Sequence, residues 1–279
     1  NSGILLTSGA TAVALSPNAS GSASAGGGPG YAPFEEFPNV YNGTFNACIL
    51  EFDFVPSGTE ISLNYIFGSE EFPEYVGSAF NDVMGFIIEG ESEYPSDLPV
   101  PERNIAIIPG SPNLPLEINT IAGYEDFYID NTDPAQISNA YIQYDGFTTK
   151  LTAKASVTPC ETYHIIIGVA DVNDTDWDSG IFLEEDSFQS IGEEYSVEVL
   201  TSSPQLCGDM TSINLAVQPI DGVTFEWQPA EYVIMDSEDG SIVTASPPEG
   251  SENFTYTVTA ITPFDCISVP PQSIEVTNS

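Results

Sequence analysis

Tyr163-His-Ile-Ile-Ile-Gly-Val-Ala-Asp171 runs directly into Val172-Asn-Asp-Thr-Asp-Trp-Asp-Ser-Gly180. The first stretch is short, apolar and rich in β-branched residues, which is the composition of a buried strand. The second is dense in Asp and Asn, which favour turns and strand-end loops. The same unit recurs along the chain. Strands are expected at Ile4–Leu6, Ala12–Leu15, Ala47–Val55, Glu60–Phe67, Val83–Glu89, Asn104–Ile108, Glu117–Ile121, Tyr141–Tyr144, Lys150–Val157 and Gly180–Glu184. The 23 Gly and 22 Pro are spread through the chain and separate these runs, and with only two lysines few Glu–Lys helix pairs can be written. The pattern predicts an all-β protein built around a jelly-roll-like β-sandwich, with almost no helix.

A boundary is expected near residue 200. Glu193–Leu200 reads as a closing strand, and Ser202–Gln205 leads into Cys207. Domain one is therefore assigned to residues 1–200 and domain two to 201–279. The second reads Leu215–Val217, Thr224–Gln228, Ser241–Ala245, Thr255–Ala260 and Ser273–Val276, with the order Cys207, Trp227, Cys266. A core Trp between two cysteines, with Tyr256 in an alternating run, resembles an immunoglobulin-like sandwich. Residues 16–33 are almost all Gly, Ser and Ala. By composition they form a flexible loop, expected to be held on its own domain or against a neighbouring molecule.

Charge excludes several functions. Of 279 residues, 3 are Lys or Arg and 42 are Asp or Glu, a formal charge of −39. Phosphate recognition needs a cationic surface, so nucleic acid is excluded as a partner, and anionic membranes follow. Disorder does not follow, because hydrophobic residues make up 41% and aromatics 11%, more than a disordered acidic chain carries. A compact chain with Arg103, Lys150 and Lys154 as its only fixed cations repels itself. Salt relieves that by screening, and Ca²⁺ relieves it by binding to carboxylate and carbonyl oxygens. Both remedies point outside the cell. No apolar run reaches the 18 residues of a membrane span. The chain opens on Asn1 without Met and without a signal peptide, the expectation for a processed or excised product.

Cys48, Cys160, Cys207 and Cys266 include no CxxC pair, and one histidine cannot complete a zinc set. An even count in an extracellular chain predicts two disulfides. Three connectivities are possible, and the domain division favours Cys48–Cys160 with Cys207–Cys266.

Catalysis finds little support. His164, the sole base of its kind, lies within an apolar strand. Asp178-Ser-Gly180 matches half of an aspartic-protease signature, and no second copy exists. Among 42 acids, close carboxylate pairs are unavoidable and carry no information about glycoside hydrolysis. No phosphate-binding Gly-rich motif is present. No enzymatic activity is expected. Metal binding is the stronger reading. Asp171, Asn173, Asp174, Asp176 and Asp178 offer five oxygen side chains in one strand-end loop, a donor set suited to Ca²⁺ though not in EF-hand register. Glu70 and Glu71, then Glu74, then Asn81 and Asp82 form a second acidic cluster.

These acidic stretches also carry a resemblance. Phe67-Gly-Ser-Glu-Glu-Phe-Pro-Glu-Tyr75 and Phe80-Asn-Asp-Val-Met-Gly-Phe86 resemble the hallmark run of the choice-of-anchor L domain. Ser2–Gly9, Leu50–Phe54, Asn104–Gly110, Tyr144–Thr148, Cys160–His164 and Ala170–Glu184 fit the same family in order. The likeness covers roughly residues 1–192. Residues 205–279 are similar to the immunoglobulin-like or PKD-like modules that follow it in large secreted Bacteroidota proteins. The resemblance implies an extracellular surface domain of an adhesive kind, with no enzymatic activity attached. Family members carry further sequence before the equivalent of Ser2, and a sorting module or anchor at the C-terminal end. The expectation is therefore a fragment, or a processed subunit completed by its neighbours.

The sequence reading is thus an extracellular, Ca²⁺-stabilised adhesin or surface-filament subunit. Its partners would be other copies of itself or other surface proteins. Strand addition between subunits would use residues 1–15 or 16–33. The competing reading is a carbohydrate-binding or glycan-active protein, with glycans stacking on exposed aromatics among Tyr31, Tyr75, Tyr124 and Trp177. A passive stalk spacer is the third.

Overall fold

The computed structural model describes residues 2–278 apart from 22, 25, 112–113, 122, 124, 192–196, 202–203 and 263–268. It is an all-β protein whose chain divides into two compact units, Asn1–Gly192 and Glu193–Ser279.

In the first unit β3 (Glu60–Ser69) is the spine of one sheet. On one flank it pairs with β9 (Ser179–Glu184) and β10 (Gln189–Ile191), and on the other with β6 (Gly146–Thr148) and β7 (Leu151–Ser156). β1 (Gly3–Thr7) extends this sheet beyond β9, and β5 (Tyr128–Asp130) extends it beyond β6. The second sheet is β2 (Thr44–Phe54), β8 (Tyr163–Val172) and β4 (Val83–Glu89), in that order. Side chains alternate across each strand. Ile165, Ile167 and Val169 of β8 therefore join Leu63, Tyr65, Phe67, Phe86 and Ile181 in the core between the sheets. Tyr65 and Phe86 meet across it, with ring centroids 4.7 Å apart.

The alternate residues of β8, Ile166, Ala170 and Val172, face a second cluster with Val83, Ile87, Phe34 and Phe37. Burial on both faces explains why β8 reads as an unbroken apolar run. β7, by contrast, alternates strictly between buried and exposed residues.

Several expected strands are not strands. Ala12–Leu15 falls in a helical turn, Thr11–Ala14. Glu117–Ile121 gives the turn Ile118–Ile121, because Thr120 Oγ1 accepts from the Glu117 amide and folds the chain back. Asn104–Ile108 makes only isolated bridges, and Tyr141–Tyr144 is a loop.

A further expectation is corrected. Cys48 lies opposite Val169, whereas Cys160 precedes Tyr163, the residue opposite Phe54. The two cysteines thus sit at opposite ends of one ladder, about 20 Å apart at ~3.3 Å per residue. That is far beyond the reach of a disulfide, and Cys48 is a free thiol. Cys266, and with it the pairing to Cys207, lies outside the described residues. The segment expected to reach a neighbouring molecule is, among its described residues, engaged within its own unit. Gly3–Thr7 pairs in its own unit with Glu184–Gly180. Asn18 and Ala23 lie against that unit too: Asn18 Nδ2 donates to Asp145 at 2.7 Å, and Asp178 N donates to Ala23 O at 3.3 Å.

The second unit packs β11 (Gln205–Leu206), β13 (Thr224–Gln228), β16 (Asn253–Ile261) and β17 (Gln272–Asn278) in one sheet. The other sheet comprises β12 (Ile213–Ala216), β14 (Val233–Met235) and β15 (Ile242–Ala245). Trp227, Tyr256, Val258, Leu215 and Val243 form their common core. Trp227 Nε1 donates to Gly240 O at 2.8 Å inside it. Trp227→Phe leaves that carbonyl unpaired and removes part of the ring. Denaturant unfolding of this unit should show a loss of about 1–3 kcal/mol. An unchanged midpoint would mean that the bond is not worth its geometry.

Candidate functional site

Strand register brings five element ends to one end of the first sandwich. β3 stops at Ser69, which pairs with Ser179 at the start of β9. Val83, at the start of β4, pairs with Ala170 near the end of β8. Thr7, at the end of β1, pairs with Gly180. Glu70–Glu71, Asn81–Asp82 and Asp171–Asp178 are the residues just beyond or at these ends, so the two acidic runs of the sequence meet in space.

Contrary to the ordinary fate of carboxylates, they are buried. Glu70, Asp82 and Asp171 are 0% exposed, Glu71 and Asn81 1%, and Asp178 3%. Asp174 and Asn173 are half-buried, and Asp176 is exposed. Asp82 Oδ1 accepts from Val172 N at 3.1 Å and Oδ2 from Ser179 Oγ at 2.6 Å. Glu71 Oε2 accepts from Asp82 N at 3.2 Å. Asp171 Oδ2 accepts from Asn46 Nδ2 at 2.7 Å, while Asp171 Oδ1 and both oxygens of Glu70 have no hydrogen-bond partner.

Burial drives the titration of these groups upward. Glu70 is pushed up to about 8 by burial and by the charges of Asp145 and Asp178. Glu71 rises to about 8 and Asp171 to about 7, again chiefly through burial. Asp82 is raised by burial and by the charges of Glu71 and Asp171.

No protein cation answers them. Arg103 pairs with Glu89, Lys150 with Glu184 at 3.1 Å, Lys154 with Glu60 at 2.7 Å, and His164 with Asp53 at 2.7 Å. Those four are the chain's entire complement of Lys, Arg and His. His164 is thereby a surface-paired strand residue rather than a base beside a nucleophile. Among the described residues, no three His, Cys, Asp or Glu side chains converge closely enough to ligate one ion as they stand.

Four contributors were not singled out from the sequence. Asn46 has φ +51 at a bulge in β2, a conformation costly for a non-glycine residue. The residue signals itself only as an Asn inside an apolar strand. Glu117 is 0% exposed, accepts from Asn39 and Asn81 through Oε2, and leaves Oε1 unpartnered. Burial raises its pKa. Asp145 and Gln143 arrive on the loop before β6 because Tyr144 lies across the register-paired Gly68 and Gly180. A Cβ at either glycine would stand only 2.7 or 2.4 Å from that ring or its hydroxyl.

The aromatics proposed for glycans do not form a platform. Trp177 and Tyr75 meet edge to face at 4.6 Å, and Tyr75 meets Phe80 edge to face at 5.5 Å, so they brace the two acidic loops against one another. Tyr31 packs its edge on Phe34. Tyr124 lies outside the described residues.

A β-sandwich with an acid-filled end and four basic side chains in total defines an acidic surface-type domain. More particularly, the chain belongs to the choice-of-anchor L domain family, whose model matches residues 1–189. It is accordingly a cell-surface or secreted protein. No helix among the described residues is long and apolar enough to cross a membrane. No curated protein matches the chain. Among solved structures it is similar to a β-1,2-glucanase from Parabacteroides distasonis at 10% identity and TM-score 0.22, over 86% of this chain and 33% of that one. It is also similar to the tripod (BppUct-A-L) of the bacteriophage Tuc2009 baseplate at 9% identity and TM-score 0.21, over 100% and 99%. The chain spans a third of the glucanase, and neither likeness is close enough to bear on fold or function.

Proposed function

We propose that this is a non-enzymatic structural and adhesive domain of a cell surface, stabilised by Ca²⁺ and followed by an immunoglobulin-like or PKD-like module. The observation that carries it is the buried acidic end, where Glu70, Glu71, Asp82 and Asp171 are fully or almost fully covered with every basic side chain engaged elsewhere. Burying a charge without a partner is strongly unfavourable. Outside the cell a divalent cation is the available partner, and oxygen donors of this kind suit Ca²⁺.

Chelation tests the reading. A ligand that binds only the folded state adds about 2.7 kcal/mol at 100 times its dissociation constant. Melting in chelator should therefore fall by several degrees, and added monovalent salt should not restore it. Identical melting curves with Ca²⁺ and with chelator would remove the specific cation and leave only a generally acidic surface.

A second reading, a filament subunit, draws on the sheet edge. β1 has a strand partner on one side only. Beside it lies a cavity of about 540 Å³ lined by Ile4, Leu50, Phe52 and Phe188. Unpaired edges recruit strands, so another copy's strand could add there. Imaging of native material decides it: polymers support the filament, and monodisperse particles dismiss it.

A further inference from the structure

Resting on the adhesive reading, we propose that the open side of the first sandwich, between β1 and β2, is a docking groove for an extended basic segment of another protein, which adds to β1 as a strand and lays apolar side chains into the cavity beside it. Backbone, cavity and charge each contribute. Ser2 O accepts from Glu185 N, and Ser8 N donates to Ser179 O, both at 2.9 Å. Residues bonded to the partner alternate along an antiparallel ladder, so Ser2, Ile4, Leu6 and Ser8 are the ones that bond to β9 and its flanks. Gly3 and Leu5 therefore turn their N–H and C=O groups to the side where β1 has no strand. Neither residue is buried, so a short free edge stands open to an incoming backbone.

Beside that edge the core is incompletely covered. Ile165 and Ile167 of β8 are buried, whereas Leu50, Phe52 and Phe54 of β2, packed on the same core, are half-buried, and Ile4 is 54% exposed. The cavity of about 540 Å³ lies among Ile4, Leu50, Phe52 and Phe188. Its aromatic wall is braced, because Phe188 packs edge to face on Phe52 at 5.4 Å and on Phe54 at 5.2 Å. A strand added to β1 points every second side chain to the core side, and aliphatic residues at those positions fill the cavity. Glu184, Glu185 and Asp186 line the same groove. Lys150 engages Glu184, and the other Lys, Arg and His side chains are paired elsewhere, which leaves the exposed Glu185 and Asp186 without a basic partner. The filament reading seats another copy here, but a copy brings a charge of −39 and only 3 Lys or Arg, each already paired within its own chain. A segment that carries Lys or Arg beside its apolar residues complements this rim, and an acidic one is repelled.

The test titrates the full chain with a short capped peptide that alternates Val and Thr between flanking lysines, following binding by calorimetry and amide exchange by NMR. The peptide should bind, and the Gly3 and Leu5 amides should slow about tenfold, while that of Ile4, already bonded to β9, changes little. Replacing the lysines by glutamates, or the valines by serines, should each weaken binding about tenfold. Ile4→Glu in the protein should do the same. Glu185→Gln combined with Asp186→Asn should weaken the lysine peptide about fivefold and strengthen the glutamate peptide. All three positions are exposed, and an unchanged melting temperature checks that each variant is folded. No binding of the lysine peptide would refute the groove and leave the adhesive reading standing on the acidic end. Equal binding of the lysine and glutamate peptides would refute the basic partner. Binding that survives Ile4→Glu, with Gly3 and Leu5 exchange unchanged, would place the peptide on the acidic surface at large. Self-association of the chain that Ile4→Glu abolishes would give the edge to a second copy and overturn the proposal.

Discussion

In chelator, moving the protein from about pH 8 to about pH 5.5 should raise its melting temperature, on the order of 10 °C. Most proteins change little over this window; this one should not, because of the buried acids. Glu70 and Glu71 titrate near 8 and Asp171 near 7 in the fold, while unfolded carboxyls titrate near 4. A raised folded value means that the folded state binds the proton first. The stabilisation is complete below the unfolded value, falls steadily as pH rises, and is gone above the folded value, so the loss runs from about pH 4 to about pH 7–8. Each such group gives about 1.4 kcal/mol per pH unit of uptake. Two or three of them, coupled and so less than additive, give on the order of 5 kcal/mol. At ~2–4 °C per kcal/mol for a unit of this size the shift is large. Glu184 and Glu93 are held below their ordinary values, so their opposing loss begins only at lower pH. His164 is raised through its bond to Asp53 and works in the same direction, so His164→Gln is the control that removes its share. Glu71→Gln should flatten the profile, and saturating Ca²⁺ should do the same by supplying the missing charge. A melting temperature that is level or falls between pH 8 and 5.5 would mean that these carboxylates are solvated in solution.

Periodicity exposed what is periodic. β3, β7, β8 and β16 were readable because alternation or an unbroken β-branched run reflects how many faces are buried. Segments such as Glu117–Ile121 and Ala12–Leu15 have the same local composition but turn, because one side-chain bond or a nearby loop overrides weak strand propensity. The two acidic runs were legible as oxygen-donor loops from composition alone. Their meeting was not, since it depends on the registers Ser69↔Ser179 and Val83↔Ala170, which are long-range facts. Nor was their burial: a sequence rich in Asp shows no difference between solvated and covered acids. Asn46, which donates to Asp171, was hidden because its role comes from a left-handed backbone at a bulge. The Cys48–Cys160 expectation failed for a related reason. Cys48 lies in the first half of β2 and Cys160 just before β8, and antiparallel pairing sends those two positions to opposite ends of the ladder.

Phe34→Ala should cost the first unit about 3–5 kcal/mol, the range for truncating a buried aromatic ring. Phe34 is fully buried on the outer face of the β2-β8-β4 sheet, with Phe37 beside it. The seat is made by two glycines, Gly85 of β4 and Gly168 of β8, which are direct register partners. A Cβ at either would stand 3.0 Å from the Phe34 ring, and one at Gly168 would also meet Ile49 at 2.3 Å. The pair therefore forms a smooth trough that fits an aromatic ring and nothing bulkier beneath it. Without the ring the trough has no side chains of its own to fill it, so the site collapses poorly and the cost falls at the upper end of the range. The converse substitution separates this from a general loss of apolar area. Gly85→Ala in wild type overpacks the seat and should destabilise by about 1–3 kcal/mol. In the Phe34→Ala background the same methyl no longer meets the Phe34 ring but still meets Phe37 at 3.1 Å, so its cost should shrink rather than vanish. The double-mutant cycle then shows a coupling of about 1–3 kcal/mol, as expected for residues in contact. Additive losses would mean that Phe34 does not sit on the glycine pair, and that the outer cluster of this sheet is held by Phe37 and Val100 instead.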